Sequence, residues 1–358
     1  MKLTIGTARL QALLNKAVKG ASCNKLITKT GLIAIKLQGG VLTLTTTDDT
    51  NYLSMVERDV AGDDFYVAVQ VDLLSKLVSK MTCENVTLEV TDSSLEVIGN
   101  GKYNIELDLE DDGSLVKLPN PIEKFEKTEK FGTASPQTIM SVLTSVKHAL
   151  ATSSDDEFPW LTCYYVGDSV TATDTYTIAD YKNGFLKEPK LIGAVTMDLL
   201  GLLNGEISVY VNGDKVLFEA DNGLVYSVIP SGVEHYSVED VKALVSQGFT
   251  YSCKVVKSAL LNLLDRIALF AGEYDNGKIT LSFSKDGLEV GSKYATETVV
   301  YTDSSNAGEF KCFTDVNTFV TQVKAQSGSE ITIEYGEDNA IKIIDGDVTS
   351  VIALLEED

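Results

Sequence analysis

Glu84-Asn85-Val86-Thr87-Leu88-Glu89-Val90, Glu206-Ile207-Ser208-Val209-Tyr210-Val211 and Glu330-Ile331-Thr332-Ile333-Glu334-Tyr335 are three versions of one strand. Each alternates apolar and polar residues, the period-2 pattern of a half-buried strand. A turn follows each: Asp92-Ser93-Ser94, Asn212-Gly213-Asp214 and Gly336-Glu337-Asp338-Asn339. Each turn leads into a second alternating run: Leu95-Glu96-Val97-Ile98, Val216-Leu217-Phe218 or Ala340-Ile341-Lys342-Ile343. Three hairpins therefore recur at intervals of about 120 residues, the signature of an internally repeated fold.

Working outward, a short amphipathic segment precedes each hairpin, at 71–81, 195–204 and 315–326. In the first, Leu73, Leu74, Leu77, Val78 and Met81 recur at helical spacing. Asp72, Asp198 and Asp315 sit near the starts, where a carboxylate suits a helix N-terminus. Further upstream, Gly40-Val41-Leu42-Thr43-Leu44-Thr45-Thr46-Thr47-Asp48 echoes Asp168-Ser169-Val170-Thr171-Ala172-Thr173-Asp174. Lys285-Asp286-Gly287-Leu288-Glu289-Val290 is a weaker third copy. Longer helical segments at 7–20, 135–152 and 254–271 come before these, the second opened by the cap pair Ser135-Pro136. Each unit thus reads strand, helix, several strands, helix, several strands. Consecutive strands with few helices predict an α+β fold. Pro119-Asn120-Pro121 and the stretch 245–248 mark the boundaries, giving domains 1–121, 122–246 and 247–358.

Composition limits the possible roles. Hydrophobic residues make up 44% of the 358, enough for real cores. No apolar run reaches the roughly 18 residues of a membrane span. The start Met1-Lys2-Leu3-Thr4-Ile5-Gly6 has no apolar region of signal-peptide kind behind its Lys. Five dispersed cysteines (Cys23, Cys83, Cys163, Cys253 and Cys312) fit reduced thiols in the cytoplasm. The two histidines, His148 and His235, have no metal-ligand spacing, and there is no phosphate-binding loop or nucleophile elbow. Asp155-Asp156-Glu157 reads as a solvated loop, and Trp160 as a core residue or a wall of a nearby pocket. Neither an enzyme, a metal nor a cofactor is expected.

A net charge of −22 opposes DNA binding if it is spread evenly. It is not. The six helical segments carry Arg9, Lys16, Lys19, Lys76, Lys80, Lys147, Lys254, Lys257, Arg266 and Lys324, ten cations against the four acids Asp72, Asp198, Asp265 and Asp315. That is +6 on the helices and −28 elsewhere. Cationic helices suit a surface that faces phosphates without reading bases. The plainer alternative is that Lys is a good helix former on solvated faces.

These features together resemble the bacterial DNA sliding clamp, the β subunit of the replicative DNA polymerase. The resemblance runs over the whole chain. It is carried by the opening Met1-Lys2-Leu3-Thr4-Ile5, by Leu42-Thr43-Leu44-Thr45-Thr46-Thr47-Asp48 and by Ala172-Thr173-Asp174. Leu95-Glu96-Val97-Ile98-Gly99-Asn100-Gly101-Lys102-Tyr103-Asn104-Ile105 and Val348-Thr349-Ser350-Val351-Ile352-Ala353-Leu354 complete it. The resemblance implies three clamp domains per chain and a head-to-tail homodimeric ring, helices inside and antiparallel sheets outside. Duplex DNA would thread the ring, with His148 joining the ten cations on the DNA-facing side. Polymerase and clamp loader would dock by short peptide motifs between the second and third domains. The matching positions are Thr173, Asp174, Thr175, Tyr176, Thr177, Ile178, Tyr236, Ile352, Ala353, Leu354 and Leu355. Here the sequence departs from the family: Thr175-Tyr176-Thr177-Ile178 replaces Gly-His-Arg-Leu, and Leu354-Leu355-Glu356-Glu357-Asp358 replaces an ending with Met, Pro and Arg. The departures imply an altered peptide preference and a remote member, of phage or plasmid kind. The alternative function is a clamp-fold interaction protein that does not encircle DNA.

Overall fold

The computed structural model describes residues 1–110, 113–153, 158–229, 237–337 and 339–357. Its elements run through one order three times. The first pass is β1 (Lys2–Gly6), α1 (Thr7–Ala17), β2 (Leu32–Gln38), β3 (Val41–Thr47), β4 (Asn51–Glu57), a short β5 (Ala61–Gly62), β6 (Phe65–Gln70), α2 (Val71–Ser79), β7 (Asn85–Val90), β8 (Ser94–Ile98) and β9 (Lys102–Glu106). The second is β10 (Gly132–Ala134), α3 (Pro136–Ser145), β11 (Cys163–Val166), β12 (Val170–Thr173), β13 (Thr177–Tyr181), β14 (Lys190–Gly193), α4 (Ala194–Leu200), β15 (Ile207–Asn212), β16 (Lys215–Ala220) and β17 (Gly223–Val228). After a connecting helix α5 (Val238–Ser246) comes the third: β18 (Tyr251–Val256), α6 (Lys257–Tyr274), β19 (Lys278–Phe283), β20 (Leu288–Ser292), β21 (Ala295–Val299), β22 (Tyr301–Asn306), β23 (Phe310–Asp315), α7 (Val316–Ala325), β24 (Glu330–Tyr335), β25 (Ala340–Asp345) and β26 (Val348–Ala353).

The chain forms two compact units, Met1–Ile139 with Val195–Ile229, and Met140–Ala194 with Pro230–Asp358. The first unit holds a five-stranded sheet, β5-β1-β7-β8-β9, and an eight-stranded sheet, β10-β15-β16-β17-β4-β3-β2-β6. The second holds a nine-stranded sheet, β14-β11-β12-β13-β26-β25-β24-β18-β22, and a four-stranded one, β21-β20-β19-β23. Each large sheet is two repeats joined edge to edge. Val225 pairs with Leu53 at the β17–β4 seam, and Ser350 with Ala179 at the β26–β13 seam. The strands meeting there are buried along most of their length, whereas β9 and β21, which occupy the same places in the first and third repeats, have only one buried residue each.

Helix faces follow their spacing. Leu10, Leu13, Leu14 and Ala17 of α1 are buried, as are Val316, Phe319 and Val323 of α7. Asp315 caps α7 as its position suggests, its carboxylate accepting from Thr318 N at 2.8 Å. Two helical segments are corrected. The expected helix 135–152 stops at Ser145, and Lys147–Ala149 is a separate 3-10 turn. Thr144 turns its hydroxyl onto the Met140 and Ser141 carbonyls, the competition that makes Ser/Thr-rich helix ends weak. The expected helix 254–271 begins at Lys257, because buried Cys253 and Val255 flank exposed Lys254 in a period-2 pattern that keeps it on β18. The helix α5, which the sequence reading did not anticipate, ends at Ser246, within the expected boundary stretch 245–248. No helix of the described residues is long and apolar enough to cross a membrane.

A recurring device closes the second helix of each repeat, whose last carbonyls have no partners within the helix. Gln11 Nε2 from α1 donates to the Val78 and Met81 carbonyls behind α2, at 2.9 and 3.1 Å. Lys16 Nζ donates to Leu202 O behind α4 at 3.2 Å. Lys257 Nζ donates to Lys324 O of α7 at 3.0 Å and to Gln326 O. Buried Lys342 of β25 serves the connecting segment in a similar way, donating to Gln247 O beside Glu334 and 5.0 Å from the Phe249 ring centre. Removing it leaves that carbonyl and Glu334 without their cation. Lys342→Met should destabilise the second unit by about 1–3 kcal/mol, read as a lower midpoint in thermal or denaturant unfolding.

Candidate functional site

The two segments named as a partner-peptide pocket, around Thr173–Ile178 and at the chain end, are neighbours. Strand β13 pairs with β26, setting Thr177 opposite Ile352 and Ile178 opposite Val351. Ala353 N donates to Tyr176 O at 2.9 Å, Leu354 N to Asn339 O at 3.0 Å, and Leu355 N to Phe313 O at 2.8 Å. The β12–β13 turn is tightly specified. Asp174 Oδ1 accepts from Tyr176 N, Thr177 N and Thr177 Oγ1 at 3.0, 2.7 and 3.0 Å. Thr173 Oγ1 donates to Thr177 O and accepts from Thr175 N. Thr175 consequently takes φ +78°, and Tyr176 projects 74% exposed. The β3–β4 turn repeats the geometry: Asp48 Oδ1 accepts from Thr50 N and Asn51 N, Thr47 Oγ1 donates to Asn51 O, and Asp49 takes φ +87°. A Thr-Asp pair is thus a turn-forming device as well as a possible recognition element.

Ile178, Ala340 and Val351 form a small cluster on this sheet, covered by Val241, Leu244, Val245 and Phe249. Beside it, Cys163, Tyr165 and Leu191 pack against Trp160, Val238 and Val241. Sequence reading missed α5 as a wall of this region, although Val238, Val241 and Leu244 or Val245 have helical spacing. Of the earlier candidates, Tyr236, His235 and Asp155-Asp156-Glu157 lie outside the described residues.

The candidate cations divide by their partners. Within α1–α4, α6 and α7 as they stand, six cations (Arg9, Lys16, Lys76, Lys257, Arg266 and Lys324) meet four acids (Asp72, Asp198, Asp265 and Glu273), so the expected +6 falls to +2. Lys19 and Lys147 sit in 3-10 turns, Lys80 is the C-cap of α2, and Lys254 is on a strand. Lys16 and Lys257 serve helix ends. Arg9 pairs with Glu57, Lys76 with Asp72 at 3.0 Å, Arg266 with Glu297 at 2.5 Å, and Lys324 approaches Asp265 at 3.9 Å. Lys19 and Lys80 are exposed with no ion pair among the described residues, and Lys147 is exposed. Most of these cations cluster at helix C-terminal ends, where the helix dipole itself favours them.

His148 is not a cation facing solvent. Its ring is half-buried, and Nε2 donates to Gln322 Oε1 of α7 at 2.5 Å. Gln322 belongs to a buried polar chain in which Gln326 Nε2 donates to Gln322 O and Ser350 Oγ. Burial holds the His148 pKa below its ordinary value, against the opposing pull of Gln322 and Asp174. The three buried cysteines behave as small apolar residues: burial pushes Cys163 up to about 11, and Cys253 and Cys312 to about 12.

No protein-family model matches the chain. The beta sliding clamp of Bacillus subtilis strain 168 is 23% identical over 367 aligned positions, covering 94% of this chain and 93% of that protein. Among solved structures, the DNA polymerase sliding clamp of the same organism superposes with a TM-score of 0.84 at 20% identity, covering both chains completely. A sliding clamp from Pseudomonas aeruginosa bound to griselimycin gives 0.85 at 15%, again over both whole chains. The fold is therefore that of these proteins from end to end.

Two measurements follow from the partners of these residues. Because the His148 pKa is lowered on folding, the folded state binds fewer protons there. Its contribution is full above about pH 6.5, the ordinary value, and is lost as pH falls through the lower folded value. The stability difference between native chain and His148→Gln should accordingly shrink from pH 7.5 to pH 5.5, measured by urea unfolding. Lys16→Met should destabilise the first unit by about 0.5–1.5 kcal/mol, read as a lower unfolding midpoint, because Leu202 O loses its charged donor but keeps Asn222 Nδ2 at 3.2 Å.

Proposed function

We propose that this chain is a divergent bacterial-type DNA sliding clamp, a non-catalytic processivity factor that closes around duplex DNA and tethers a polymerase. The observation that carries this is the open seam. The β17–β4 and β26–β13 seams join the end strand of one repeat to the middle of the previous one. The same pairing would use β9 of the first repeat and β21 of the third, each of which stands at the end of its sheet. A second copy, set head to tail, would supply each with its partner. Counted from the strand that leads into each helix, Tyr103 occupies the place of Val225 and Ser350, and Ala295 that of Leu53 and Ala179. The proposed register is therefore Tyr103 of one copy opposite Ala295 of the other, with Lys102 opposite Thr296.

The surroundings of β21 fit a buried junction. Helix α6 exposes Leu269 at 74% and Phe270 at 41%, and Val300 behind β21 is 71% exposed. Large apolar side chains exposed in this way suit a surface that another chain covers. Three domains per chain, divided near 121 and 246, would give a two-copy ring six of them. A closed ring holds DNA by topology, so a few weak phosphate contacts suffice and base contacts would impede sliding. Lys19, Lys80 and Lys147 are the candidates for those contacts. The strongly acidic remainder disfavours DNA elsewhere. Tyr176, Leu354 and Leu355, with the α5 face, would receive partner peptides from polymerase and clamp loader in the cytoplasm.

The near-neutral helices favour a second reading, a clamp-fold interaction protein that does not enclose DNA. Negative-stain electron microscopy at low micromolar concentration separates the two: closed six-lobed rings support the clamp, and solid or elongated particles support the alternative. Tyr103→Cys with Ala295→Cys should give an intermolecular disulfide, because directly opposed strand residues lie within disulfide reach. Only monomer on a non-reducing gel would refute the register. Lys19→Glu, Lys80→Glu and Lys147→Glu combined should reduce retention on circular DNA at least ten-fold with the dimer intact. Unchanged retention would remove these lysines from the DNA side.

A further inference from the structure

The outer face of the four-stranded sheet holds a cavity of about 470 Å³ separate from the Tyr176 region. Lys278 of β19, Lys311 of β23 and Lys293 line it, with Phe313 between them. The Lys278 and Lys311 ammonium groups stand 4.9 and 5.1 Å from the Phe313 ring centre. Strand β23 is at the end of its sheet, so its outer backbone is open to another strand. The chain's own tail uses that opening. Leu355 forms an antiparallel bridge with Phe313, its N–H donating to Phe313 O at 2.8 Å. Lys278 Nζ donates to Glu356 O at 2.8 Å, and Lys311 Nζ lies 3.3 Å from Glu357 Oε1.

We infer that this face is a docking site for a short extended acidic peptide with an apolar residue ahead of its carboxylates, and that residues 355–357 occupy it in cis. Three features match that ligand and few others. A free strand edge takes backbone in extended form. The lysines take carboxylates, and the aromatic ring between them gives the cations and a neighbouring aliphatic side chain a common surface. Of the two acids that line the cavity among the described residues, Asp275 accepts from Lys293 N at 2.6 Å, and Glu357 belongs to the tail. With the tail released, three cations would face one acid. Among the described residues the tail is held by one ladder bond, one lysine-to-carbonyl bond and one solvent-exposed ion pair, which are individually weak. A partner segment offering more of the same chemistry would displace it, and would at the same time free Leu354 and Leu355 beside Tyr176. The site stands on its own geometry and requires neither ring nor DNA.

The test is fluorescence anisotropy with a labelled peptide copying residues 352–358, on the full chain and on Leu355→Pro, which removes the amide that bridges to Phe313. Leu355→Pro should bind the peptide at least ten-fold more tightly than the native chain. Binding should weaken with salt and disappear when Lys278→Glu and Lys311→Glu are added, or when the peptide's Glu residues are changed to Gln. Equal binding by native and Leu355→Pro chains, or binding that survives the charge reversals, overturns the proposal. A second measurement avoids the proline. Hydrogen exchange at the Leu355 amide should accelerate several-fold in Lys278→Glu with Lys311→Glu, and unchanged exchange would show that the lysines do not hold the tail.

Discussion

A β-sheet always has two ends, and unsatisfied edges are what organise this molecule. Each repeat builds two pieces of four or five strands, and an isolated piece would present exposed backbone donors and acceptors on its outer strands. The chain resolves this twice internally, by running β17 against β4 and β26 against β13. Those junctions turn short amphipathic hairpins into sheets of eight and nine strands whose central members are buried on both faces. The device is used once fewer than the number of repeats, which leaves β9 and β21 as its unused halves. The proposed association of copies would then be an extension of intrachain folding, employing the same backbone pairing.

Charge is subordinate to that architecture. Helices packed on sheets must satisfy carbonyls at their C-terminal ends, and a cation does so with help from the dipole. Lys16 and Lys257 are consumed in that way, and Arg9 and Arg266 by Glu57 and Glu297. A residual excess of +2 on the helices, plus Lys19, Lys80 and Lys147 in the flanking turns, is a modest field. Modest attraction suits a closed ring, in which topology, not affinity, prevents dissociation, since tight phosphate contacts would slow movement along the duplex.

The β12–β13 turn shows how structure and recognition share residues. Asp174 and Thr173 satisfy four backbone groups and one hydroxyl locally, so their presence is required by the turn even without a ligand. The equivalent Thr47-Asp48 turn of the first repeat has the same bonds. What distinguishes the second copy is its setting: exposed Tyr176 beside the last strand, with α5 over the adjoining apolar cluster. The tail adds a further element, because the residues that follow β26 cross from one sheet to the edge of another before ending in acids.

The sequence by itself determined the repeat, the hairpins, the α+β class and the pairing of Thr-Asp turns with strand ends, because period-2 and helical spacing are local properties that packing reinforces. It also brought Thr173–Ile178 and the final strand into one candidate site, through their resemblance to a known family. Tertiary structure decided what spacing could not express. Lys254 lies on a strand because its neighbours Cys253 and Val255 are buried; Lys16 and Lys257 turn away from solvent because distant helix ends need donors; the His148 pKa is lowered because burial disfavours its charged form. Side-chain partners distant in sequence carry no periodic signal. The open edges of β9 and β21 became legible only when the other seams were seen closed, since an edge is a property of a sheet and not of any strand within it.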